Sequence, residues 1–99
     1  MEQQKTSINI KDRIREPRRF KVIIHNDDFT PMDFVVMILS TIFFKSADEA
    51  ERLMLDVHNT GKGIAGIYPY DIAETKRRKA VTLARGEGYP LRLSLQPAD

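Results

Sequence analysis

The chain has 99 residues, of which 41% are hydrophobic and 30% are charged, and it contains no cysteine. This composition fits one small globular domain and excludes an extensively disordered protein, a disulfide-held domain and cysteine-dependent chemistry. The net charge is only +2, but residues 26–56 hold seven acidic residues against two basic ones. That acidic middle disfavours a phosphate-binding surface there and favours a cationic ligand.

The N-terminal part of the chain differs from the rest. Residues 1–17 have sparse, aperiodic apolar positions and end in Pro17, so we expect a flexible arm, followed by a single domain over residues 18–99. The start is polar and contains acidic residues, unlike a secretion signal or transit peptide, and no apolar run reaches the ~18–20 residues of a membrane span. We therefore expect a cytoplasmic protein without membrane contact.

The domain opens with a strand followed by a helix. Phe20, Val22 and Ile24 alternate with their neighbours, which predicts a strand. After the turn-prone residues 26–29, Thr30 is predicted to cap a helix whose first position is Pro31. Apolar residues then recur at helical spacing to about residue 45.

The second half contains two further helices and two strands. Ser46 and Glu49 form a capping-box pattern at the start of a helix that Gly61 ends. A short strand is predicted over residues 63–68, a helix over 71–85 and a last alternating strand over 91–96. The residues of that third helix that we expect to be buried are Ile72, Ala73, Ala80, Leu83 and Ala84.

The predicted order is β-α-α-β-α-β. Three strands with three helices on one face form an α+β, two-layer sandwich around one core, with a three-stranded antiparallel sheet.

Two segments carry side chains suited to binding a ligand. Asn26, Asp27 and His58 supply hydrogen-bond acceptors without a cationic partner among them. A free α-amino group, with three donors and a positive charge, fits such acceptors, and capture of an amino-terminus is a known mode of peptide recognition. Taken singly, the Asn-Asp pair is equally typical of a turn, and His58 of a helix end.

Apolar residues lie in the same two segments. Met54 precedes His58 by four residues, so the two share a helix face, and Val57 lies beside them. Met32 stands in the first segment. Methionine adapts to apolar and aromatic side chains, so these residues predict a pocket for one large apolar side chain.

Four segments together resemble the ClpS family of bacterial adaptors, which serve the ClpAP protease in the N-degron pathway. The segments are HNDDFTPMDFV, LMLDVHNTGKGIAGIY, DIAETK and YPL, and the resemblance covers about residues 18–96. It implies the ClpS fold, related to the C-terminal domain of the ribosomal stalk protein. It also implies a non-enzymatic, cofactor-free adaptor that binds destabilising N-terminal Phe, Tyr, Trp and Leu.

The resemblance assigns roles by position. Asn26, Asp27 and His58 would hold the α-amino group, and Met32 would exclude β-branched residues. The residues that would shape the side-chain pocket are Asp28, Thr30, Met32, Val35, Met54, Val57 and Leu91. The residues that would meet the N-domain of the ClpA unfoldase are Asp71, Glu74 and Lys76. The arm would take part in delivery.

Two alternatives belong to other classes of protein. A metal-dependent hydrolase would use ligand-type residues, namely His25, Asp27, Asp28 and His58. A nucleic-acid binder would use the arm with Arg77 and Arg78, although base-stacking aromatics are not interleaved with these charges.

Overall fold

The computed structural model describes residues 18–98, so the predicted arm over residues 1–17 lies outside the described part of the chain. The order of elements is the predicted one. The elements are β1 (Arg19–His25), α1 (Met32–Thr41), α2 (Ala47–Thr60), β2 (Lys62–Pro69), α3 (Tyr70–Gly86) and β3 (Arg92–Pro97).

The three strands form one antiparallel sheet with β1 in the centre, in the order β2-β1-β3. Val22 and Ile24 of β1 are fully buried beneath the helices. The three-stranded α+β sandwich is therefore confirmed. The other members of the core are Phe34, Val35, Ile38, Leu39, Ile42, Phe43, Ala50, Val57, Ala65, Ala73, Ala80, Ala84, Leu91 and Leu93.

The start of α1 differs from the prediction. Pro31 rather than Thr30 occupies the N-cap position, and no side chain caps the helix. The Thr30 hydroxyl instead donates to Asp27 Oδ2 at 2.8 Å. The predicted cap is wrong because the helix begins one residue later, after Pro31, and Thr30 belongs to the turn that Asp27 holds.

The end of α1 also comes earlier than predicted, at Thr41. The backbone then turns through Phe44, which has φ of 55°, and the N–H of Lys45 donates to the carbonyl of Leu39 at 3.0 Å. A positive φ is uncommon for a bulky residue, and the side chain of Phe44 is 78% exposed.

The boundaries of α2 are the predicted ones. Ser46 accepts from the N–H of Glu49, and the Glu49 side chain accepts from the N–H of Ser46, which completes the capping box. Gly61 ends the helix with φ of 98°, a conformation that favours glycine. A Cβ atom on Gly63 would come within 2.9 Å of Val57 Cγ2, so this glycine lets β2 pass close to α2.

The buried face of α3 is narrower than predicted. Ala73, Ala80 and Ala84 are fully buried, whereas Ile72 and Leu83 are 48% and 47% exposed. Each of these two residues directly precedes a buried alanine and is therefore rotated from it by about 100° around the helix. The prediction that Ile72 and Leu83 are buried is wrong, because small alanines let the helix lie close to the sheet.

Among residues 18–98, no helix combines the length and the apolar character that crossing a bilayer would require.

Candidate functional site

A surface cavity of about 320 Å³ lies where β1 ends, between the start of α1 and the C-terminal half of α2. The cavity brings together nine of the ten residues predicted to bind an N-terminal residue. Its lining residues are Asn26, Asp27, Asp28, Phe29, Thr30, Pro31, Met32, Val35, Met54, Val57 and His58.

Hydrogen bonds from backbone N–H groups hold the loop after β1 at two places. At its start, the N–H of Asn26 donates to the carbonyl of Gly61 at 2.9 Å, which ties the loop to the end of α2. Further along, Asp27 Oδ1 accepts from the N–H groups of Phe29 and Thr30 at 2.8 and 2.7 Å. These hydrogen bonds form a local turn that shapes the polar side of the cavity.

The carboxylate of Asp27 is largely occupied by the loop itself. Its Oδ1 accepts two N–H groups and its Oδ2 accepts the Thr30 hydroxyl. Since each carboxylate oxygen has two lone-pair sites, Oδ2 retains one for a ligand. Partial burial alone would raise the pKa of Asp27, but the hydrogen bonds from Thr30 and Phe29 outweigh it and hold the pKa below its usual value. The group is therefore ionised at neutral pH.

The opposite wall comes from α2. Met54 and His58 are four residues apart on one helix face and both line the cavity. Val57 is buried at the base, where it packs against the position of Gly63. His58 is exposed, so its imidazole is accessible to a ligand.

The remaining predicted pocket residues divide into three groups. Met32 is partly exposed at the cavity wall and Val35 is buried behind it. Asp28 is exposed on the rim. Leu91 is only 1% exposed, belongs to the core and is not brought to the cavity wall.

Two cavity residues were not predicted. Pro31 and Phe29 line the cavity, and Phe29 is 76% exposed. A large aromatic residue inside a turn of polar residues was the available sequence signal, because such a residue cannot reach the core from a turn tied by Asp27.

The three residues predicted to dock an unfoldase lie on α3. Asp71 and Lys76 line a groove between α3 and the end of α1, together with Phe44 and Ile72. Glu74 pairs with Arg77 at 2.6 Å, and this hydrogen-bonded pairing lowers the pKa of Glu74 despite slight burial. The three residues therefore share one helix, but only two of them line the groove.

Lys76 is partly buried by contacts with the end of α1. Its Nζ donates to the carbonyl of Ile42 at 2.7 Å and lies 4.4 Å from the ring centroid of Phe44 and 5.3 Å from that of Tyr68. Burial lowers the pKa of Lys76, and the charge of Lys79 adds to this. Lys76 thus satisfies a carbonyl at the C-terminal end of α1.

The geometry does not favour the alternative of a metal-dependent hydrolase. His25 lies on the sheet face opposite the helices, where its Nε2 is 2.7 Å from Ser94 Oγ. Within residues 18–98, no group of three or more His, Cys, Asp or Glu residues is arranged to hold a metal ion. For the nucleic-acid alternative, Arg77 is engaged with Glu74, and the arm lies outside the described residues.

Comparisons with known proteins agree with this geometry. Residues 15–94 match the family described as "ATP-dependent Clp protease adaptor protein ClpS". The chain is 52% identical over 92 residues to the ATP-dependent Clp protease adapter protein ClpS of Syntrophus aciditrophicus, covering 93% of this chain and 86% of that one. It is 55% identical over 83 residues to the protein of the same name from Wolinella succinogenes, covering 84% and 81%.

A solved structure shows the same fold. Agrobacterium tumefaciens ClpS2 bound to L-phenylalaninamide superposes with a TM-score of 0.80 at 36% identity, covering 83% of this chain and 99% of that one. With the family match over residues 15–94 and relatives at about half identity across most of the chain, the conclusion is direct: this chain belongs to the ClpS family of ATP-dependent Clp protease adaptor proteins.

Proposed function

We propose that this protein is a non-catalytic, cytoplasmic adaptor that binds the N-terminal residue of substrate proteins and delivers them to the ClpAP protease. The observation that carries the proposal is the single cavity after β1. It joins three acceptor side chains, those of Asn26, Asp27 and His58, to an apolar wall that includes Met54 and Val57.

The acceptor side of the cavity suits an α-ammonium group. Asp27 supplies a carboxylate whose Oδ2 has a free lone-pair site, because the loop uses the other sites. Asn26 and a neutral His58 supply one acceptor atom each. Charge-assisted hydrogen bonds of this kind contribute about 1.5–3 kcal/mol each before desolvation costs. An acetylated terminus lacks both the charge and the donors, so it is expected to be rejected.

The apolar side of the cavity suits one large side chain. Burying an aromatic or leucine side chain contributes about 1.5–3 kcal/mol, and the walls of Met54, Val57 and Val35 provide that surface. Because both halves are needed, we expect binding of Phe, Tyr, Trp and Leu but not of Gly. The related ClpS2 binds L-phenylalaninamide, a ligand with one free amino group and one phenyl group, which supports this preference.

Delivery requires a second surface. We propose that the exposed side of α3, with Asp71, Glu74 and Lys76, meets the N-domain of a ClpA-type unfoldase. This surface lies apart from the cavity and includes exposed apolar side chains, those of Phe44 and Ile72, beside the charged ones. Apolar anchors within a charged rim are typical of interfaces between proteins. The N-terminal arm is proposed to assist in delivery.

The decisive experiment is fluorescence anisotropy with labelled peptides that differ only at the N-terminal residue, each with an acetylated counterpart. We expect binding of Phe, Tyr, Trp or Leu peptides that acetylation abolishes. His58→Ala should weaken this binding. His25→Ala is the matched control, since it removes the histidine on the far face of the sheet.

Equal binding of free and acetylated peptides would contradict the proposed α-amino site. Equal loss in His25→Ala and His58→Ala would show that the histidine effect is not local. For the delivery step, degradation of a reporter beginning with Phe by purified ClpAP should require this protein, and Asp71→Lys should impair degradation without changing peptide affinity.

A further inference from the structure

A further surface is the face of the sheet that points away from the helices. On β1, Val22 and Ile24 face the core, so Lys21, Ile23 and His25 point to the opposite side. Residues paired directly across antiparallel strands share a face. The register therefore assigns the remaining side chains of this open face.

One end of the open face is cationic. His25 pairs with Lys62 on β2 and with Arg92 on β3, so two permanent cations flank it. Burial lowers the pKa of His25, and the charges of Arg92 and Lys62 lower it further. The backbones of Lys62 and Arg92 are thus about two strand spacings apart, roughly 9–10 Å.

The next row is aliphatic. Ile23 pairs with Ile64 on β2 and with Ser94 on β3. Ile64 is 42% exposed, whereas Ile23 is 6% exposed. The following row is cationic again at its centre, where Lys21 pairs with Ile67 and Gln96, and Arg19 lies beyond it. Row by row from His25 to Arg19, counting the residues of all three strands, the face is therefore cationic, aliphatic, cationic and cationic.

We infer that this open face binds an acidic segment of a partner protein in extended conformation. Same-face residues of an extended chain recur every ~6.5–7 Å, the same spacing as the rows of the sheet. A segment running along β1 with an acid, an aliphatic residue, an acid and an acid at every second position would match the four rows in turn. Charge complementarity of this kind guides both encounter and register.

Asp56 restricts where on the open face the acidic segment can lie. A surface cavity of about 600 Å³ borders this face, and it is lined by Lys21, Ile23, Lys62 and Ile64 of the sheet and by Asp56 of α2. The Asp56 carboxylate repels an acidic segment on the α2 side of this cavity. The segment therefore follows β1, away from Asp56, where Lys21 lies beneath it and Arg92 and Ile64 of the neighbouring strands lie on either side.

The isoleucines distinguish a protein from a nucleic acid as the occupant. A phosphodiester backbone presents a charge at every nucleotide and has no aliphatic group to cover Ile64. Single-stranded binding surfaces also use aromatic stacking platforms, whereas the row between the cations consists of Ile23, Ile64 and Ser94. An alternation of acids and aliphatic residues fits the face, and a polyanion does not.

The test uses the full chain and a labelled peptide, acetyl-Ser-Glu-Ser-Leu-Ser-Glu-Ser-Glu-Gly-amide, whose blocked terminus excludes the α-amino site. We expect saturable binding that weakens with salt, and at least about tenfold weaker binding of a peptide of equal composition with its three Glu residues adjacent. An oligouridine of equal charge tests whether a nucleic acid binds this face instead.

The variant Lys21→Glu/Arg92→Glu should weaken binding of the peptide by at least about tenfold. Lys21→Gln/Arg92→Gln is a milder variant to use if charge reversal impairs folding. Arg78→Glu/Lys79→Glu, on the exposed side of α3, is the matched control with the same change in net charge. The proposal is overturned if the peptide does not bind, if the control variant loses as much affinity, if the rearranged peptide binds equally, or if oligouridine binds more tightly. None of these outcomes depends on binding of an N-terminal residue, so the two functions fail separately.

Discussion

Thr30 makes two hydrogen bonds to Asp27, one from its backbone N–H to Oδ1 at 2.7 Å and one from its hydroxyl to Oδ2 at 2.8 Å. The first bond shapes the turn. The second bond orients Oδ2, the oxygen that keeps a lone-pair site for a ligand. Thr30 therefore acts on the α-amino group through Asp27, in addition to lining the cavity.

Thr30→Val removes the hydroxyl while it keeps the shape of the side chain. We expect peptides with N-terminal Phe to bind about three- to tenfold more weakly, because Oδ2 loses the bond that orients it. Thr30→Ser, which retains the hydroxyl, should bind nearly as the wild type does. Thr41→Val is the control, since that hydroxyl donates to the carbonyl of Met37 away from the cavity. Isothermal titration calorimetry measures all four, and equal affinity of Thr30→Val and wild type would contradict the role.

The lowered pKa of Asp27 leads to a prediction about how the stability of the folded protein changes in acid. The pKa of Asp27 in the folded protein lies below its ordinary value of 3.8. Ionised Asp27 therefore contributes fully to the free energy of unfolding above pH 3.8, and this contribution is lost as the pH falls through the folded pKa. Asp27→Asn should therefore cost about 1–3 kcal/mol at neutral pH. The difference from wild type should shrink below about pH 3.8. Urea unfolding at several pH values measures it, and a constant difference would show that ionisation is not responsible.

The sequence predicted the order of elements and most of the cavity, because strand alternation, the capping box at Ser46 and the glycine at 61 are local signals that the packing reinforces. What it could not predict was the residue at which the turn after β1 ends and α1 begins. In an isolated segment Thr30 fits either the N-cap or the turn before the helix, and only the folded loop shows that the N-cap is Pro31 and that Thr30 belongs to the turn.

The α3 helix shows the same limit. Ile72 and Ala73 are both apolar and could each face the sheet, but only the smaller residue, Ala73, is buried against it. The strong apolar character of Ile72 and Leu83 misled the prediction because periodicity alone does not reveal how closely a helix approaches its neighbour. Leu91 was predicted to shape the side-chain pocket but lies in the core, because an apolar residue at the start of a strand can face either a core or a cavity.

Met32 gives the prediction for residue preference. Its side chain is partly exposed at the cavity wall, opposite the Met54 and Val57 side. If Met32 excludes β-branched residues by its bulk, Met32→Ala should admit peptides that begin with Val or Ile and leave Phe binding within about threefold of wild type. Met37→Ala, a partly exposed methionine on the same helix that does not line the cavity, is the control. An unchanged order of preference among the peptides in Met32→Ala would refute the gatekeeper role.

Lys76 and Phe44 give the prediction for delivery. Lys76 bonds the carbonyl of Ile42 and lies over the ring of Phe44, so Lys76→Met should lower the free energy of unfolding by about 1–2 kcal/mol. Any loss of delivery in that variant therefore has two explanations, a weakened fold or a lost contact with the unfoldase.

Phe44→Gly separates these explanations. Glycine adopts the φ of 55° found there without steric cost, so the backbone gain offsets the loss of the contact with Lys76, and stability should stay within about 1 kcal/mol of wild type. Delivery of a Phe-initiated reporter should nevertheless fall several-fold, because an exposed aromatic beside Ile72 is removed from the docking groove. Thermal unfolding and ClpAP degradation rates measure the two effects. The contrary outcome is normal delivery by Phe44→Gly, with a loss of delivery by Lys76→Met that matches its loss of stability. Lys76 would then be a residue that stabilises the fold and not one that meets the unfoldase.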